Sequence, residues 1–421
     1  MHKAAKVLVV LVGILALGTA PAQAAPDFAT KADDGTWGTE IVADTGKAGR
    51  VLTVAVSGTT VYLGGDFGAM SAPGSKDDSA VVERHHLAAL GDGGTTLADW
   101  NPGADKEVRV LLAAPDGRRV YAGGTFSRIG GKTQSRLAAL DAVTGAVDED
   151  FRPPKPDAVV RALALSPDGG VLYVGGDFAQ LTLPDGSVEA RPHLAALDAA
   201  TGSLLPWLPP EDAGGRYHGH TGTKDKTRPG GVHAIVPSAD GTTVHVGGSF
   251  LSFGGRSGLV SLDAKTGRPT PWQTKIDRPV FGLTGGRDGH TFYAATGGTG
   301  GRLIAFRPHG RPEGTWEVKT DGDNLAVVET ETTVYLIGHY DNIVQPESDC
   351  YQYCPEGTPR AHLSAFDHSG NIQDWSPTAN TPTGPYSAVA TDQHLYVVGE
   401  FTKINGVRRV GFAAFSRSSA S

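Results

Sequence analysis

The sequence predicts an all-β chain built from one repeated four-stranded unit. Three observations carry that expectation. The first is a recurring second strand: VYLGGDF (61–67), VYAGGTF (120–126), LYVGGDF (172–178) and VHVGGSF (244–250), with looser copies VYLIGHY (334–340) and LYVVGEF (395–401) and a degraded FYAATGG (292–298). The second is a recurring third strand, reading LAAL, LVSL, LIAF, LSAF or FAAF. The third is an aromatic closing each fourth strand: Trp37, Trp100, Phe151, Trp207, Trp272, Trp316 and Trp375. Short Val-, Leu- and Tyr-rich runs separated by tight turns are strands rather than helices. Four such strands per repeat predict a single β-propeller of seven four-stranded blades. Six blades is the competing count, because the fifth copy is short and lacks the GG-x-F ending.

The clearest copy occupies residues 159–209. SPDG joins its first run to its second, and DAATG joins its third to its fourth. Asp-Gly and Thr-Gly suit tight turns, since Gly supplies positive φ and Asp bonds its own backbone. One blade cannot bury both faces alone, so stacking must bury them together. The 421 residues therefore form one unit rather than the several domains their length permits.

Residues 1–24 read as a signal peptide. Lys3 and Lys6 precede an apolar run at 7–17, and Ala22-Gln23-Ala24 supplies the small-residue cleavage site. The run is shorter than the ~20 residues of a membrane span. Residues 25–421 are then the propeller, expected to be a secreted, extracellular monomer with no membrane span. The formal net charge is −8, and removing Lys3 and Lys6 makes it more negative. That excludes nucleic acid as the general partner. The two cysteines, Cys350 and Cys354, lie in CYQYC. In an oxidising compartment their leading reading is a local disulfide.

The chain opens with a stretch, 35–51, that resembles the fourth-strand segments PWQTKIDRPV and TWEVKTDGDNL. It ends with three strands lacking a fourth. Pairing the N-terminal strand with the C-terminal three would close the ring and remove its free edges.

The cycle V-x-A-L-A-x-S-P-D-G, L-Y-V-G-G-D-F, R-x-H-L-A-A-L-D-A-x-T-G, W-x-P resembles the delta-60 repeat propellers, secreted bacterial repeats mostly without assigned function. A similar GG-x-F repeat occurs in the ectodomains of fungal cortical marker proteins. The resemblance spans about Trp37 to Phe415. It implies a propeller and no catalytic residues. LAALDAATGSLLPW (194–207) and LVSLDAKTGRPTPW (259–272) are similar to the Trp docking motif of quinoprotein dehydrogenase propellers. That likeness implies blades docked through the Trp. It does not imply quinone chemistry, because the adjacent cysteine pair of many such enzymes is absent.

The long insertions, 68–84, 179–191, 210–231 and 341–360, all fall on the face opposite the short PDG and TG turns. Loops on one face of a rigid scaffold point to a binding face. Arg109, Arg161 and His233 share the second position of consecutive first strands, which line the central channel. His218, His220 and Tyr217 lie on the neighbouring connector. Together these six are the candidate ligand-binding residues, suited to a carboxylate, sulfate or phosphate. The bland alternative pairs the arginines with loop acids such as Glu211 or Asp212.

An acid or polar group ends the second strand (Asp66, Thr125, Asp177, Ser249, His339, Glu400). Arginine precedes the third (Arg84, Arg191, Arg256, Arg360, Arg409). The expectation is a structural pair within each blade. His86, His193 and His362 repeat at one third-strand position and read as packing and loop-anchoring residues, not ligands of a shared metal. Residues 297–301 are glycine-rich, but a strand rather than a helix follows, so they are no phosphate loop. The chain carries no G-x-S-x-G, H-E-x-x-H, P-loop or EF-hand motif. No catalytic residue, metal or cofactor is assigned. The leading function is extracellular binding of a glycan, peptide or protein, or an anionic small molecule, at the insertion face. The alternative is an extracellular lyase, hydrolase or quinone-dependent dehydrogenase with its site at the channel mouth.

Overall fold

The structure is a computed structural model. It describes residues 25–42, 47–74, 81–211, 214–217, 224–225, 230–298, 300–307, 314–345, 354–381 and 383–418. Residues 1–24, expected to be a signal peptide, and Cys350, His218, His220 and Asp212 lie outside the described residues. Among the described residues the protein is all-β, with a single 3-10 turn at Asp92–Gly94 and no α-helix. No described helix is long and apolar enough to cross a membrane.

Many small antiparallel sheets make up the fold, and seven of them repeat one plan among the described residues. Sheet one holds Arg50–Ser57, Thr60–Asp66 and Leu87–Leu90; sheet two holds Val108–Ala113, Arg119–Gly124 and Leu137–Asp141. Sheet three holds Val160–Leu165, Val171–Gly176 and Leu194–Asp198; sheet four holds Val232–Pro237, Thr243–Gly248 and Leu259–Asp263. Sheet five holds Val280–Gly285, Phe292–Thr296 and Arg302–Phe306; sheet six holds Asp323–Glu329, Val334–His339 and Leu363–Phe366. Sheet seven holds Pro385–Ala390, His394–Gly399 and Phe412–Ser416. The fourth segment is a full strand only in sheet five, Trp316–Thr320. Elsewhere it is a single bridge, such as Leu90 with Leu97 or Leu197 with Leu204. The fifth copy, degraded in sequence, is therefore the most regular sheet.

First strands touch in chain order. The first strand of sheet one packs against those of both sheet two and sheet seven. The paired glycines permit this packing. A Cβ on Gly175 would lie 2.4 Å from Val232 of the next sheet, so the first glycine allows that close approach. A Cβ on Gly176 would lie 2.1 Å from the Val159 carbonyl, where a β-bulge presses the first strand inward. The same register shift recurs in all seven sheets.

Aromatics join each sheet to the next. The second-strand Tyr or His meets its own sheet's closing aromatic: Tyr62 with Trp100 at 5.1 Å, Tyr173 with Trp207 at 5.4 Å, Tyr335 with Trp375 at 4.8 Å. The Trp then donates through Nε1 into the following turn. Trp100 reaches the Asp141 carbonyl, Trp207 that of Asp263 and Trp316 that of His368. Tyr62 and Tyr121 donate to the Ala142 and Ala199 carbonyls. Tyr396 of sheet seven reaches the corresponding turn of sheet one but donates to the Asp92 carboxylate, at 2.7 Å.

The N-terminal strand lies earlier than expected. Phe28 bridges Arg417, and the Ala29 and Asp33 amides donate to the Ser416 and Ala414 carbonyls. Residues 28–33, not 35–51, thus flank the third strand of sheet seven. Apolar Phe28, fully buried against Tyr335 at 5.6 Å, selects this segment. Trp37 packs against the core shared by sheets seven and one. Gly38–Thr39 then pairs with Ala69–Ser71.

Candidate functional site

Each β-bulge leaves one residue of the first strand out of the ladder. In sheets two, three and four that residue is Arg109, Arg161 or His233. A bulge turns its extra side chain out of the regular pleat, so the Gly-Gly motif orients the candidate site. Arg161 makes two bonds to Asp177, Nε to Oδ1 at 2.9 Å and Nη2 to Oδ2 at 2.7 Å. Arg109 Nε donates to Glu107 Oε2 at 2.7 Å. Glu107 is only 13% exposed and also meets Arg50, which bonds Asp66 at 2.8 Å. His233 sits edge-on to Phe281, with centroids 5.4 Å apart. It contributes to the field on Asp177. Burial pushes the Asp177 carboxyl up, but Arg161, with His233 and His193, outweighs that and holds it below its ordinary value.

The arginines are thus charge-compensated, and the compensating acids are Glu107 and Asp177 rather than Glu211. Arg161, Asp177 and His233 come together across sheets three and four. Arg109 belongs to a separate group with Glu107, Arg50 and Asp66. Tyr217 lies in Gly214–Tyr217, which pairs with Lys224–Asp225 and with Phe250–Ser252.

The expected pairing within each sheet needs correction. Asp66 and Asp177 bond first-strand arginines, not the arginines before the third strand. Those arginines cap the backbone instead. Arg191, Arg360 and Arg409 each donate through Nη1 to the preceding carbonyl.

His86, His193 and His362 adopt φ of 64°, 66° and 72°. Gly258 and Gly411 hold the same place with φ of 67° and 72°. Each imidazole Nδ1 lies 3.2 Å from the carbonyl of the second glycine-position residue, Gly65, Gly176 or Gly338. The three histidines anchor loops in separate sheets.

Among the described residues, parts of the insertions form a second tier of paired strands. In several sheets the incoming connector pairs with the segment after the second strand. Lys155–Pro156 pairs with Gln180–Thr182, Trp316–Thr320 with Asn342–Val344, and Ala379 bridges Ile404. A recurring acid or amide clips each junction, and the sequence reading missed it. Asp105 accepts the Ser127 and Arg128 amides, Asp157 those of Ala179 and Gln180, Asp321 those of Asp341 and Asn342, and Asn380 those of Thr402 and Lys403. The available signal was an Asp two or three residues before the first strand, at Asp105, Asp157 and Asp321.

On this side a cavity of about 420 Å³ opens between sheets seven and one, lined by Lys47, Arg50, Asp66, His86 and Glu400. Glu400 accepts from the Tyr386 hydroxyl at 3.0 Å. Tyr386 is the bulged residue of sheet seven. Fold and site together define an all-β protein of many small antiparallel sheets in which two bulged residues, Arg109 and Arg161, are ion-paired. No protein-family model matches the chain, and no curated protein matches it.

Proposed function

We propose that the chain is a closed seven-bladed β-propeller of the delta-60 repeat type, secreted, acting outside the cell as a binding module. The cyclic contact of first strands supports the closed ring. So does the recurrence of one tyrosine–turn bond between sheets seven and one. The partner is a glycan, peptide or protein held on the insertion face, with Arg109, Arg161, His233 and Tyr217 as candidate contacts. The paired second tier carries this reading. Loops held by backbone ladders and Asx clips present a pre-ordered surface, which lowers the entropy lost on binding. Val188 and Val407 sit on that tier with 57% and 45% exposure, apolar points on a polar surface.

A panel of glycans, peptides and metabolites tests the proposal on the secreted chain. The expected result is a ligand whose binding Val188→Asp or Val407→Asp weakens at least tenfold with no change in melting. A ligand insensitive to both, or none in the panel, overturns it. The cavity bounded by Arg50, Asp66, His86 and Glu400 favours the second reading, an enzyme at the channel mouth. Turnover of a bound panel member that Glu400→Gln abolishes would establish it.

A further inference from the structure

The opposite end of sheet six departs from the repeat at two positions that meet in space. The first-strand residue four positions after the bulged one is Val56, Ala113, Leu165, Pro237, Gly285 or Ala390 in the other sheets, and Glu329 here. The second residue of the third-to-fourth turn is Ala142, Ala199 or Ala264 in sheets two to four, and His368 here. His368 Nε2 lies 3.3 Å from Glu329 Oε1, and the Glu329 side chain is 5% exposed. Its other oxygen accepts the Arg287 amide at 3.1 Å. Asp323–Glu329 spans about 20 Å, so this pair is far from the insertion face.

The pair lines a cavity of about 720 Å³ between sheets five and six, with Tyr293, Trp316, Arg307 and Asp288 on its walls. Tyr293 and Trp316 stand with centroids 5.9 Å apart. In sheets one and two the equivalent tyrosine donates to the next turn's carbonyl. In sheet five Trp316 Nε1 takes that carbonyl, of His368, and the Tyr293 hydroxyl faces the cavity. Burial pushes the Tyr293 phenol up, with the Glu329 charge adding to it, so it stays a neutral donor.

Burying a carboxylate costs stability unless it is compensated. Sheets two to four fill the same two positions with small or apolar residues, so the fold does not require the pair. Paired departures of this kind in a cavity mark a site. The walls also limit the ligand. Asp288, Glu329 and Glu331 oppose an anion, Arg307 and Arg287 oppose a cation, and Glu331 is itself paired with Arg417 at 3.1 Å. Arg307 lies 3.9 Å from Asp288, which balances it. What remains is a neutral ligand that both donates and accepts hydrogen bonds and offers an apolar face to Trp316 and Tyr293. We infer that this cavity binds a neutral saccharide of one or two rings, with Glu329 and His368 recognising its hydroxyls.

The full secreted chain, titrated with neutral mono- and disaccharides, tests this by calorimetry and by Trp fluorescence. Acetate and choline serve as the charged controls. Glu329→Ala and His368→Ala both restore residues the repeat itself uses, so both variants should fold and melt near the wild type. The expected result is saccharide binding that each variant weakens at least tenfold and that Val188→Asp leaves unchanged. Binding unaffected by Glu329→Ala and His368→Ala, binding lost only in Val188→Asp, preference for acetate or choline, or no saccharide bound at millimolar concentration would each overturn it. Because the two faces are probed by separate variants, failure here leaves the insertion-face proposal standing or falling by its own test.

Discussion

Arg161 and Asp177 are joined by two hydrogen bonds, of 2.9 and 2.7 Å, between the bulged residue of a first strand and the residue ending the second. The bidentate fork fixes a side chain that the bulge has already turned out of the ladder. The Asp177 side chain is 39% exposed, so solvent screens the pair and its coupling should be about 1 kcal/mol or less. A double-mutant cycle of Arg161→Ala and Asp177→Ala, read by denaturant melts, measures it. The Asp177 carboxyl is held below its ordinary value. Its contribution is therefore present above the unfolded carboxylate pKa and fades as pH falls through the lower folded value. An unaltered acid limb in Arg161→Ala would contradict this.

Phe28 ties the N-terminal segment to sheets six and seven. It is 2% exposed, and the Tyr335 hydroxyl accepts its amide. Phe28→Ala should cost about 3–5 kcal/mol, the range for a fully buried phenylalanine. A chain starting at Gly35 should lose still more, because the third strand of sheet seven is left with an open edge. Thermal melts of both proteins beside the intact chain decide the matter, and equal midpoints would refute the closure.

His245 occupies the place that tyrosine holds in six other sheets. It is buried, lies 2.6 Å from Ser261 Oγ and stacks on Phe292 at 4.1 Å. Burial pushes its pKa down to about 4, against a smaller opposing effect of Asp240. The unfolded chain takes up a proton near pH 6.5 while the folded chain does not. Stability should therefore fall as pH drops from about 6.5 towards about 4, by roughly 3 kcal/mol in all, and then level. His245→Phe should flatten that limb of the stability–pH curve; a curve of unchanged slope would reject the assignment.

His193 has φ of 66°, which costs a β-branched residue about 1–2 kcal/mol and glycine almost nothing. His193→Gly and His193→Val both lose the bond to the Gly176 carbonyl. The valine variant should still be less stable by about 1–2 kcal/mol. Equal stabilities would mean that the imidazole bond, rather than the backbone, explains histidine here.

Cys354 is fully buried. Peptide mass spectrometry of the protein recovered without reductant should find Cys350 joined to Cys354. Alkylation of both without reductant would exclude the bridge.

The repeated strands, their turns and their closing aromatics were all legible in the sequence, because each rests on local pattern: alternation, Asp-Gly and Thr-Gly turns, and one aromatic per unit. The shared position of Arg109, Arg161 and His233 was legible for the same reason. Their partners were not. Asp177 lies sixteen residues beyond Arg161, and the choice between it and Arg191 depends on where a bulge points one side chain. Phe28 was missed because its partner, Arg417, comes from the far end of the chain. Glu329 and His368 stand 39 positions apart and read as unrelated surface residues. The end of the first strand and the turn after the third strand of one sheet bring them to 3.3 Å, and the neighbouring sheet closes the cavity around them. Contacts within a repeat follow from its pattern, while contacts where sheets meet depend on how those sheets pack, which no local pattern encodes.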